Sequence, residues 1–457
     1  MSAPTLLLLL TGLALVGWLS ARARASAFRA PARRFGSLPG HHAWYVALWT
    51  VLPPLLFLGI WSLGSPALVT DAVLATPAAV QLPPPGFDRA SILSEARALA
   101  AGEAFGAFRP LARALAPAYA AAQARYDWIA TAAALLLALA GGAWSFTRVR
   151  PGFAARTRTE RIVMGLLLAA SLVAIVTTLG ILVSLLWEAG RFFARVPATD
   201  FLFGTHWSPQ VIDPRDPGAS LGAVPLFWGT FLIGAVIAMA VALPFGLLSA
   251  IYLTQYATPR MRGWIKPLLE ILAGVPTVVY GYFAALTVGP SIRGLAVAAG
   301  FENASSESAL VAGSVMGIMI IPFVSSLADD ALAAVPASMR DGSLAMGATP
   351  SETIGRVLLP AALPGVVGGV LLAVSRAIGE TMIVVMAASG VANLTLNPLE
   401  STTTVTRQIV DLLTGEAEFD SPKTLAAFAL GLTLFAITFL LNMIALAVVR
   451  RYREAYE

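Results

Sequence analysis

Long charge-free blocks alternate along this chain with short stretches rich in arginine. Nine apolar runs of roughly 20 residues stand out, at about 4–20, 42–64, 127–147, 162–187, 224–254, 267–289, 308–328, 363–390 and 424–449. A helix rising 1.5 Å per residue needs about that length to cross a hydrocarbon core. The fourth run, Ile162–Trp187, and the ninth, Thr424–Val449, contain no charged side chain. The pattern predicts an all-α fold, a polytopic bundle of membrane helices. Met1–Ala21 lacks a basic leading region and reads as a first span rather than a cleaved signal.

Charge sets the expected orientation. The stretches 21–41, 148–161, 255–266, 329–361 and 450–457 hold 18 Lys and Arg, whereas the longer total of 65–126, 188–222, 290–307 and 391–423 holds 11. Counting spans places the first set on one side, so it is expected in the cytoplasm, with the N-terminus outside and the C-terminus inside. The net charge of +5 therefore reflects helix ends rather than a nucleic-acid surface. Overall, 58% of residues are hydrophobic and 12% charged, about half the charge of a soluble domain. With no cysteine, disulfides and thiolate chemistry are excluded. His41, His42 and His206 are the only histidines, which argues against a histidine metal centre.

The chain divides in sequence into two parts. Residues 1–147 supply three spans and one long outer loop, 65–126, in which the Ala-rich segment Asp88–Tyr126 predicts a helical hairpin. That hairpin is either a docking surface or a solvated spacer. Residues 148–457 supply six spans and a loop at 333–361 on the cytoplasmic side. No internal repeat is visible.

Within 333–361, Ser338 and Asp341 have the spacing of a capping box, and Gly347 suits a left-handed helix end. Thr349, Pro350 and Glu352 have the spacing of an N-cap, first-turn proline and capping glutamate, and Pro360 closes the run. Leu344 and Met346 leave this helix–turn–helix apolar enough to fill a partner's groove. An ordinary interhelical loop is the alternative.

The other polar features lie inside spans. Arg376 falls near the middle of the eighth run, where an isolated arginine costs at least about 2.5–3.5 kcal/mol. Glu380, four residues on, is expected on the same helical face and able to pair with it. The two are either a structural ion pair or part of a polar path for an anion, with Thr381 beside them. In the sixth run, Gly274 and Pro276 predict a helix break. Gly313/Gly317 and Gly365/Gly369 suit close helix packing. Asp329 and Asp330 are expected as solvated carboxylates at the end of the seventh run. A nucleotide-binding Gly-x-x-x-x-Gly-Lys loop is impossible, because neither Lys266 nor Lys423 follows a glycine. Gly218-Ala-Ser220-Leu-Gly222 matches a hydrolase elbow in letters but lies in a Pro- and Asp-rich loop.

Several stretches resemble permeases of the phosphate-specific ABC importers, PstC type. They are Phe203–Pro209, Gly274–Gly281, Ala361–Gly369 running into Ser375–Met382, and Asp420–Thr424. The segment with Asp341, Gly342 and Ser343, then Gly347, then Val357, Leu359 and Pro360 keeps the spacing of the family's coupling loop, although the first three letters depart from its consensus. The resemblance covers about 160–457 and implies a six-span ABC importer permease core with an N-terminal three-span extension. It further implies alternating access, a heterodimer with a PstA-type permease, an ATPase dimer, and an outer phosphate-binding protein. This chain would bind no cofactor; ATP and Mg²⁺ would sit on the ATPase. Asp341, Gly347, Glu352 and Pro360 would belong to the ATPase-coupling loop, and Arg376, Glu380 and Thr381 to the substrate path. Ala250–Tyr256 is similar to the PstA-type subunit instead. Still open are a permease for another oxyanion such as molybdate or sulfate, a membrane enzyme using Glu380 with Asp329 or Asp330, and a scaffold signalling phosphate status.

Overall fold

A computed structural model describes residues 3–28, 37–102, 109–210, 217–414 and 421–453. Asp420 of the resemblance above lies outside them. Most of the described residues are helical, with only isolated bridges at Trp207–Leu221 and Ser308–Ser401 and no strand among them. Two compact units form, Met1–Val176 and Thr177–Glu457.

In the first unit, α1 (Ala3–Ser26), α2 (Pro39–Leu74) and α4 (Pro110–Thr147) pack side by side. Leu6 and Leu10 are buried against Ala134 and Ala138. Gly141 and Gly142 let α4 touch α2, because a Cβ on Gly141 would strike the Trp49 carbonyl. The expected hairpin is present. α3 (Phe87–Ala101) ends at Gly102, φ +74°, and lies along the start of α4 around buried Ile92, Ala96, Leu115 and Tyr119. However, its second arm and the third span are one continuous 38-residue helix. At about 57 Å it exceeds a hydrocarbon core of about 30 Å and must project beyond it. The unit boundary falls within α5 (Ala155–Phe193).

The second unit contains α6 (Ala198–Phe203), α7 (Val224–Tyr256), α8 (Pro259–Gly274), α9 (Thr277–Ala298) and α10 (Ala309–Ala333). After these come α11 (Ala337–Ala345), α12 (Pro350–Ile378), α13 (Met382–Ala387), α14 (Val405–Thr414) and α15 (Pro422–Arg453). Eight described helices are long and apolar enough to cross a membrane, and α8 with α9 passes the same test as a pair bent by 83°, the geometry of a broken span or a re-entrant loop. The most apolar window of α10 is 61% buried, against 6% for α15 and 0% for α5, so α10 is the axis of its unit and α15 presents leucine and phenylalanine outward. Such faces suit lipid and not water.

Both glycine pairs serve packing. A Cβ on Gly313 or Gly317 would meet Ile237, the Ala238 carbonyl or Val241 of α7, and one on Gly365 or Gly369 would meet Ala331 or Leu327 of α10. α10 is thus gripped on two sides through small residues, the way membrane helices associate when lipid competes for apolar surface.

Three expectations change. The stretch 255–266 is not a loop: Thr258 accepts from the Met261 N–H at 3.3 Å and opens α8, so Arg262 and Lys266 are helical. Ser338 does not cap α11, which starts at Ala337 after Pro336 with no side-chain cap. Pro360 closes nothing; it rides in the unbroken α12, where its missing N–H is tolerated beside a π turn at Ile354–Leu358.

Candidate functional site

The break in the sixth run comes from Pro276, not from glycine freedom. Val275 is extended, at φ −67° and ψ 129°, the conformation that a following proline favours. Gly274 keeps an ordinary negative φ, since among the described glycines only Gly102, Gly300 and Gly347 are positive. Tyr280 Oη spans the bend and donates to the Leu272 carbonyl at 2.9 Å.

Behind the bend lies a cavity of about 330 Å³. Lys266, Leu269, Glu270 and Ala273 line it from α8 at helical spacing, and Met319, Pro322, Phe323 and Ser326 line the facing wall from α10. Arg376 enters from the last turn of α12, its guanidinium 5.5 Å from the centre of the Phe323 ring. Cation–π attraction and the negative end of the helix dipole both hold the charge there.

The eighth run is not one span. Its helix begins early, at Pro350, and stops at Ile378. Glu380 therefore leaves the helical face of Arg376, and no ion pair joins them among the described residues. Instead, Glu380 Oε1 accepts from the Met382 N–H at 3.2 Å, and its carbonyl accepts from Thr406 Oγ1 at 2.8 Å. Thr381 Oγ1 donates to the Gly379 carbonyl at 3.3 Å. Neither Glu380 nor Thr381 lines the cavity.

Two polar clusters escaped the sequence. Asp329, expected in solvent like its exposed neighbour Asp330, is 4% exposed. Arg262 Nη2 donates to both its carboxylate oxygens at 3.1 and 3.0 Å, and Lys266 Nζ to Oδ2 at 2.9 Å. The visible signal was Arg262 and Lys266 four apart on one helical face. The second cluster is on α14. Arg407 Nη1 donates at 2.6 Å to the carbonyls of both Val385 and Ala388, at the end of α13. Its Nε stands 3.5 Å from Asp411 without hydrogen-bond geometry. Gln408 donates to the Gly390 carbonyl and accepts from Trp207 Nε1, both at 2.9 Å.

The segment between α10 and α12 forms the expected helix–turn–helix. Gly347 adopts φ +89°. Thr349 and Glu352 close a reciprocal capping box: the Thr349 N–H reaches Glu352 Oε2 at 2.9 Å, and the Glu352 N–H reaches Thr349 Oγ1 at 3.3 Å. Ser343 and Thr353 hydroxyls, 2.9 Å apart, tie the arms together. Asp341 and Met346 are exposed, Met346 at 88%.

Residues 242–454 match the family described as the binding-protein-dependent transport system inner membrane component, and residues 6–177 match the family described as the phosphate ATP-binding cassette transporter. A probable ABC transporter permease protein of Bacillus subtilis, YqgH, is 32% identical over 54% of this chain and 75% of its own length. The phosphate transport system permease protein PstC 1 of Mycobacterium tuberculosis is 32% identical over 56% of this chain and 83% of its own. PstC of Mesorhizobium japonicum is 30% identical over 61% and 86%. The chain belongs to the PstC-type permeases of binding-protein-dependent transport systems. It is a multi-pass inner-membrane transport component and not an enzyme.

Proposed function

We propose that this permease forms half of the translocation path of an ATP-driven importer of inorganic phosphate. The observation that carries the reading is Arg376: an intramembrane guanidinium without an ion-pair partner among the described residues, facing a cavity. A planar fork of N–H donors suits a tetrahedral oxyanion. The names of its relatives and the family description of residues 6–177 favour phosphate over other oxyanions.

In this reading a PstA-type permease completes the path, and an outer phosphate-binding protein delivers the anion. A separate ATPase dimer binds ATP and Mg²⁺ and docks on α11 and its turn, with Asp341, Gly347 and Glu352 on the coupling surface and Pro360 in the helix behind it. Closure of the ATPases rocks that stiff segment and switches access. Glu380 and Thr381 shape the chain break next to the path. The N-terminus lies outside and the C-terminus in the cytoplasm. Residues 1–147 form an extension and 148–457 the permease proper.

Uptake of labelled phosphate by vesicles containing all partners tests the substrate. Phosphate accumulation that excess sulfate and molybdate fail to suppress is expected; accumulation of either of those instead would replace the substrate. Single cysteines test orientation cleanly, because the chain has none of its own. Ser351→Cys should react with an impermeant label only from the cytoplasmic side and Asp88→Cys only from outside. The reverse pattern would invert the topology.

A further inference from the structure

We propose that α8 is a hinged wall of the cavity, latched shut by Asp329. This rests on the transport reading of the cavity and names the element that opens it.

Three observations converge on α8. It has a hinge: the chain turns 83° just after it, at a residue pair where Pro276 removes the N–H that would continue the helix. It has little hold on the core: none of its residues is buried, whereas α10, which it faces, is the most buried helix of the unit. Its outward stripe, Trp264, Leu268 and Ile271, is exposed and apolar, so it could shift against lipid without loss of hydrophobic burial. Finally, it has a clasp at the end far from the hinge. Arg262 and Lys266 converge on one carboxylate, that of Asp329, whose side chain is only 6% exposed. The cavity-lining stripe of α8 lies between Lys266 at the clasp and Ala273 beside the hinge.

The clasp is placed to be worked from the coupling side. Asp329 lies in the last turns of α10, and α11 starts four residues beyond the end of that helix. A tilt of α11 therefore pulls on the helix end that carries the carboxylate. The two cations remain 39% and 37% exposed, so on release they meet water or lipid headgroups, while a released Asp329 would stay buried and uncompensated. The latched state is thus favoured at rest, and the latch acts as a positioning group at the rim of the cavity, which Lys266 and Asp329 also line.

The test uses the full complex with its partners in nanodiscs. Spin labels at Gly263→Cys on α8 and Ala334→Cys after α10 report their separation. The expected result is a narrow distribution in the parent that shifts longer and broadens in Asp329→Asn, with Asp329→Glu restoring the narrow peak. Should Asp329→Asn fail to assemble, Asp329→Asn with Lys266→Gln, which leaves only the 39%-exposed Arg262 charged at the clasp, carries the same expectation. A parent-like distribution in whichever variant assembles overturns the latch. ATP turnover adds a second readout: opening the latch should raise hydrolysis in the absence of inorganic phosphate and binding protein, and unchanged coupling would count against it. The distances are read without any substrate. Failure of the parent complex to take up phosphate would therefore sink the transport reading separately.

Discussion

At Val275–Pro276 the chain turns through 83° because a proline withholds a donor and pushes its predecessor extended. At Gly379–Thr381 another helix stops where no proline stands and the φ of Gly379 and of Thr381, −86° and −113°, are ones that any residue adopts. The first break is made locally. The second is closed by local bonds from Met382 and Thr381 and is also held from outside: Thr406 donates to the Glu380 carbonyl, and Arg407 fixes the far end of α13 through the carbonyls of Val385 and Ala388. A break made by a proline marks the place where a hinge can form. A break held by another helix marks a fixed point, and Arg376 sits one turn before that fixed point, where its position is best defined.

The largest expected effect follows from that placement. Arg376→Gln should abolish phosphate uptake per assembled complex, and Arg376→Lys should restore little, because a point charge lacks the fork. Glu380 does not pair with Arg376, so Glu380→Gln should act independently, and the double variant should be as inactive as Arg376→Gln, with no rescue. Near-normal transport by the double variant would make the two a structural pair after all.

Next comes the clamp on α13, just past the second break. Arg407→Gln removes two charge-assisted bonds, each worth about 1.5–3 kcal/mol, and strands two carbonyls at the end of α13. Assembly or thermal stability of the complex should fall clearly, and Arg407→Lys should recover part of it. A variant as stable as the parent would mean the second break is local too.

These two breaks also show how much was legible. Residue type and period were enough for the spans, the glycine contacts and the Thr349 capping box, because each depends on neighbours three or four positions away. Pro276 was legible for the same reason. The end of α12 at Ile378 was not, since the outside residue that reaches the break is Thr406, more than twenty positions on and in a stretch that reads as loop. Asp329 was misjudged likewise: its burial depends on α8 folding back over it, and α8 begins in what reads as a basic loop. Helical period placed Glu380 beside Arg376 only on the assumption that the helix continued.

Pro276→Ala should show the first break relaxing. Restoring the donor removes a penalty of about 3 kcal/mol against a continuous helix. The Tyr280–Leu272 bond, worth about 1 kcal/mol, and the close packing of Gly281 on Met382 and Met386 would still favour the bend. Labels at Gly263→Cys and Arg293→Cys, on the two arms, should move apart, with uptake reduced. An unchanged separation would show that packing imposes this bend as well.

Gly347→Val is expected to act more gently on the fold and mainly on coupling. Its φ of +89° strains a β-branched residue by roughly 1–2 kcal/mol, although a Cβ there would meet nothing within 4 Å. The complex should still assemble, while phosphate moved per ATP falls. Parent-like coupling would remove Gly347 as the turn that sets the angle of α11.

The smallest effect separates the two breaks most sharply. If Gly379 made the second break through glycine's freedom, adding a side chain would close it or strain it. Its φ of −86° is available to alanine, however, and an added Cβ would meet only the Ser375 and Arg376 carbonyls, at 3.7 and 3.8 Å, ordinary contact distances. Alanine also loses less backbone freedom on folding, by about 0.4–1 kcal/mol. With Thr406 and Arg407 intact, Gly379→Ala should therefore leave uptake and thermal stability at or slightly above parent values. A marked loss would mean that the glycine, and not the clamp from α14, ends α12, and the fixed point beside Arg376 would become a second hinge.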